Sequence, residues 1–118
     1  MKIICRSRQT GRTEELIREC AQYRYALIVC PTGEQAHYVL KKSMDMGLNI
    51  PMPISFREFV DGRFYSKYID AFLFDNLDSS LQIYARGVPV TSVVFEANDN
   101  KKEIAYGTTK TIVTEDKV

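Results

Sequence analysis

Two runs of apolar residues without polar interruption organise this chain: Ala26-Leu27-Ile28-Val29-Cys30 and Ala71-Phe72-Leu73-Phe74. An uninterrupted run of this length is what a strand buried on both faces of a parallel sheet requires. A shorter run, Lys2-Ile3-Ile4-Cys5, predicts a first strand, and the β-rich Val90-Thr91-Ser92-Val93-Val94-Phe95 predicts a last one. Ile50-Pro51-Met52-Pro53-Ile54 carries two prolines at alternate positions, so a strand there is short or lies at an edge.

Helical periods fill the intervals. Leu16, Ile17 and Cys20, with Tyr23 beyond them, share one face of a helix from Arg12 or Thr13 to Tyr23. Thr32-Gly33-Glu34-Gln35 has the form of a capping box and opens a helix to about Met46, with Ala36, Val39, Leu40 and Met44 inward. Ser55-Phe56-Arg57-Glu58 is a second such box and opens a short helix to about Val60. Leu77, Leu81 and Tyr84 carry a fourth helix to Arg86, stopped by Gly87. Alternation of strand and helix with short connections predicts an α/β fold. The expected architecture is a three-layer sandwich around a mainly parallel sheet of about five strands.

Residues 98–118 break this pattern. Glu103-Ile104-Ala105-Tyr106 and Thr109-Lys110-Thr111-Ile112-Val113-Thr114 pair as a β-hairpin around Gly107 or form a loosely held extension. The expected organisation is therefore one α/β domain over residues 1–97 followed by this C-terminal segment.

Composition narrows the class. The chain has 118 residues, 45% of them hydrophobic and 26% charged, which is ordinary for a globular domain. A formal net charge of +1 provides no global field to recruit nucleic acid. No run approaches the roughly 20 apolar residues of a membrane span, and Arg6 cuts short any leader-like stretch. The reading is a cytoplasmic protein with no membrane partner. Cys5, Cys20 and Cys30 form no C-x-x-C pair and are expected to be reduced, mostly buried thiols. With His37 the only histidine, zinc is not expected.

Candidate chemistry gathers at two places. After the first apolar run comes Arg6-Ser7-Arg8-Gln9-Thr10-Gly11-Arg12-Thr13, a strand–loop–helix context for a phosphate-binding loop of pattern G-x-x-x-x-G-K-[ST]. Gly11 and Thr13 match, Arg12 replaces lysine, and Arg6 replaces the first glycine. Arg6, Arg8 and Arg12 bring three guanidinium groups to one short loop, an anion site when set at a helix N-terminus. The second place is Asp75, directly after the Ala71–Phe74 run, where a strand-end carboxylate faces the ligand edge of an open α/β sheet.

Taken together, Gln9-Thr10-Gly11-Arg12-Thr13, Cys30-Pro31-Thr32, Ile54-Ser55-Phe56-Arg57-Glu58-Phe59 and Phe72-Leu73-Phe74-Asp75-Asn76 resemble the additional-strand P-loop NTPases. These are the RecA-like and helicase-like proteins, and the resemblance extends to the very small P-loop-like proteins of phage genomes. It covers about residues 1–97. It implies nucleotide binding by Arg8, Gln9, Thr10, Gly11, Arg12 and Thr13, with Mg2+ between Thr13 and Asp75 and ATP or another nucleoside triphosphate as ligand.

The departures imply weak activity. Arginine is larger and planar where the family has a compact lysine. Asn76 stands where the family has the glutamate that polarises water, and an amide takes no proton. Asp78 is the weaker substitute. The expectation is a degenerate nucleotide-binding protein with little or no hydrolysis, with cytoplasm meaning that of the host if the source is viral. Two alternatives stand beside it. One is a non-enzymatic interaction protein on a decayed scaffold, engaging a host or phage protein, including an anti-defence role. The other is a single-stranded nucleic-acid accessory factor, from the interleaved Arg63, Phe64, Tyr65, Lys67 and Tyr68.

Overall fold

The structure is a computed structural model that describes residues 1–5, 11–64 and 68–96, together with the backbone of 101–106 and 109–114. The chain falls into two compact units, Thr13–Val90 and Met1–Arg12 with Thr91–Val118.

The larger unit is α/β. Its elements are α1 (Arg12–Cys20, beginning at the unit boundary), β1 (Ala26–Cys30), α2 (Gly33–Asp45), β2 (Ile54–Ser55), α3 (Phe56–Val60), β3 (Ala71–Phe74) and α4 (Leu77–Tyr84). The three strands form a parallel sheet in the order β2-β1-β3. All five residues of β1 are buried, as expected for the central strand of a sheet covered on both faces.

Strand alternation divides the core in two. Ala26, Ile28 and Cys30 of β1 join Leu73 beneath Ile17 and Cys20 of α1 and Ala36 and Val39 of α2. Leu27, Val29 and Ile54 face the other way, against Phe56, Phe59, Phe64, Phe72 and Phe74. The rings interlock edge to face: Phe59 meets Phe74 at 4.9 Å and Phe72 at 5.0 Å, and Phe64 meets Phe72 at 5.3 Å. Tyr84 of α4 reaches Phe56 on this same side at 5.5 Å. Thus α1 and α2 cover one face, while α3 and α4 approach the other.

Local signals set the helix ends. The Ser55 hydroxyl accepts from the Glu58 N–H, and the Glu58 carboxylate accepts from the Ser55 N–H, completing a reciprocal box at α3. Thr32 caps α2 by accepting from Gln35 N–H at 3.2 Å. The edge position of β2, a two-residue strand directly after Pro51-Met52-Pro53, follows from the donors that the prolines lack.

Several expectations are corrected. The described residues of the parallel sheet make three strands, not about five. Residues 2–5 carry no strand: Lys2 and Cys5 are exposed and only Ile3 and Ile4 are partly buried, too little apolar surface for a two-sided strand. Residues 91–96 carry none either; Val94 is 93% exposed and Val93 54%, so β propensity is present without the burial that rewards it. Tyr23 lies past the end of α1 and is exposed. Met44 points outward at 65% exposure, because Ser43 occupies the inward position of that turn. Ser43 satisfies its hydroxyl locally by donating to the Leu40 carbonyl at 2.6 Å.

In the smaller unit, β4 (Lys101–Tyr106) and β5 (Thr109–Thr114) pair antiparallel as a separate two-stranded sheet, from Lys101 opposite Thr114 to Tyr106 opposite Thr109. Gly107 and residues 97–100 lie outside the described residues.

Candidate functional site at the carboxyl edge of the sheet

Chain direction creates the site. From β1 the chain turns into α2 on one face; from the neighbouring β3 it turns into α4, whose Tyr84 meets Phe56 on the other. Neighbouring strands whose connections leave to opposite faces open a crevice at their carboxyl ends, where open α/β sheets bind ligands. Here that edge is built by Cys30-Pro31-Thr32 after β1 and by Asp75-Asn76 after β3. The N-termini of α2 and α4 point to it with the positive ends of their dipoles.

Asp75 is the chemical centre of this edge. It is buried, at 8% exposure, and its peptide N–H donates to the Val29 carbonyl at 2.9 Å. Register places it beside Cys30, because Val29 pairs with Phe74. The Cys30 thiol is pushed up to about 12, first by burial and then by the negative charge of Asp75. Cys30 therefore stays a neutral thiol at physiological pH and is no nucleophile. What the pair offers is a buried carboxylate at a strand end beside a neutral thiol.

Asn76 follows in the left-handed region, with φ 54° and ψ 54°. It stands at the N-cap of α4, but its side chain makes no capping hydrogen bond. Asparagine tolerates this conformation better than most residues, which lets the chain turn sharply from β3 into α4. Asp78 is exposed in the first turn of α4, on the helix and beyond the strand end.

Of the expected phosphate loop, Gly11 has a positive φ of 78°, and α1 begins at Arg12. Arg12 and Thr13 are half-exposed in its first turn. Arg6, Arg8, Gln9 and Thr10 lie outside the described residues. Glu14 is drawn to α2 by Lys42, at 2.6 Å, and the hydrogen bond from Lys42 holds its carboxyl below the ordinary value. The same bond raises Lys42, which also lies 6.0 Å from the centre of the Tyr38 ring. Lys42 is thus a cross-helix partner, whereas Lys41 is exposed.

The remaining sequence candidates have plainer roles. Phe64 is part of the aromatic core, and Arg63 shares the Asp61 carboxylate with Arg57, at 3.1 and 3.8 Å. Tyr68 is 77% exposed; Tyr65 and Lys67 lie outside the described residues. His37 is exposed on α2. Cys20 and Cys30 are buried and Cys5 is exposed, so two of the three thiols are buried as expected.

Among the described residues no three His, Cys, Asp or Glu side chains gather to hold a metal ion. The described residues therefore offer no dedicated protein cage; Mg2+ delivered with a nucleotide needs none, since that ion keeps waters and phosphate oxygens as most of its ligands. The Cys30–Asp75 proximity comes from the parallel register of β1 and β3 and has no local signal in the sequence.

No helix among the described residues is long and apolar enough to cross a membrane. Comparison with protein-family models, with curated proteins and with solved structures finds no match to this chain.

Proposed function

We propose that this chain binds the phosphate end of a nucleoside triphosphate weakly and hydrolyses it little or not at all, as a degenerate P-loop-like protein. The observation that carries the reading is the buried carboxylate of Asp75 at the carboxyl edge of a parallel sheet, beside strands whose connections part to opposite faces. α1 supports it. Its last turn sits at the start of β1, where the Cys20 thiol donates to the Ala26 carbonyl at 3.4 Å. In this reading the first turn of α1, with Arg12 and Thr13, faces the phosphates.

In this reading Arg12 supplies charge to the phosphates, and Thr13 and Asp75 hold the Mg2+ that accompanies them, the ion lending positive charge to the phosphate oxygens. Pairing of Glu14 with Lys42 removes one negative charge from the neighbourhood of the anion. Turnover is poor because Asn76 cannot accept a proton from water, and Asp78 sits on the exposed face of a helix. A missing general base costs roughly 10²–10⁴ in rate.

Titration of fluorescent ATP with Mg2+ into the full chain tests the reading. Wild type should bind weakly and saturably, and Arg12→Ala and Asp75→Asn should each weaken binding about tenfold, or ~1.4 kcal/mol. No binding by wild type, or equal binding by all three, overturns it.

A second reading, a non-enzymatic interaction protein that engages a host or phage protein, is favoured by one observation. Val93, Val94 and Phe95 are consecutive apolar residues exposed at 54, 93 and 47%. Contiguous exposed apolar surface marks interaction sites more often than isolated apolar residues do. Val94→Asp should abolish capture of a partner while leaving nucleotide binding intact; capture unaffected by the charge removes this support.

A further inference from the structure

We draw no further inference here: the strongest candidate, the half-buried outer side of the aromatic cluster that α3 and β3 build from Phe56, Phe59 and Phe74, carries nothing because nothing in the structure shows what covers it.

Discussion

The peptide N–H of Asp75 donates to the carbonyl of Val29 at 2.9 Å, so the β3–β1 ladder continues one residue beyond Phe74. This bond belongs to the backbone and survives a change of side chain. The carboxylate and the strand end are therefore separable. Asp75→Asn should leave the thermal midpoint within about 4–8 °C of wild type, a change of ~1 kcal/mol, while weakening Mg2+–nucleotide binding. A large fall in midpoint with binding unchanged would assign Asp75 to structure alone.

Asn76 separates backbone from side chain in the opposite way. A residue with a Cβ pays roughly 1–2 kcal/mol in the left-handed region, asparagine less. Asn76→Ala should lower unfolding free energy by about 1 kcal/mol, whereas Asn76→Gly should be close to neutral. Urea denaturation of the two variants decides this; equal losses would place the role of Asn76 in its amide.

The α3 capping box is the most local of the stabilising features. α3 has only five residues and carries Phe56 and Phe59 into the aromatic core. Ser55→Ala should cost about 1 kcal/mol, and Ser55→Gly only a few tenths. Denaturation midpoints at constant slope provide the measurement.

Glu14 gives the α1–α2 contact a defined pH dependence. Its carboxyl lies below the ordinary value of 4.5, chiefly through the hydrogen bond from Lys42. The unfolded chain therefore takes up the proton first on acidification. The contribution is present above pH 4.5 and is lost as pH falls through the lower folded value. Lys42 is raised above 10.5, so its share is present below that pH and is lost as pH rises through the folded value. Lys42→Met should flatten the acid limb and change neutral-pH stability little, because half-exposed pairs are heavily screened. An unchanged acid limb would remove the pair from the stability of the fold.

The three thiols should differ sharply in reactivity. Cys20 is pushed up to about 11 by burial, then by Glu19, and Cys30 to about 12, while Cys5 is exposed. At about pH 8, near the ordinary thiol value, a disulfide reagent should label one thiol quickly and two only after unfolding in urea. Rapid labelling of all three in the native protein would contradict the packing of β1.

What the sequence determined by itself was the local layer. The uninterrupted runs at Ala26–Cys30 and Ala71–Phe74 marked the buried parallel strands, because a strand covered on both faces tolerates no polar position. Ser55-Phe56-Arg57-Glu58 marked α3, because a capping box closes within four residues and needs no distant partner. Asp75 could be placed at a strand end for the same reason.

Only the tertiary structure decided which β-prone segments became strands and which charges met. Ile3-Ile4 and Val90–Phe95 have the propensity, yet pairing depends on burial against elements remote in sequence, and those segments are left outside the sheet. Met44 and Ser43 exchanged their expected places because the direction of a helix face is set by what packs on it. Glu14 found Lys42 across 28 positions, and Asp75 came beside Cys30 through a register that no local pattern records. Long-range pairing is a property of the assembled sheet, and so is the edge at which Asp75 stands.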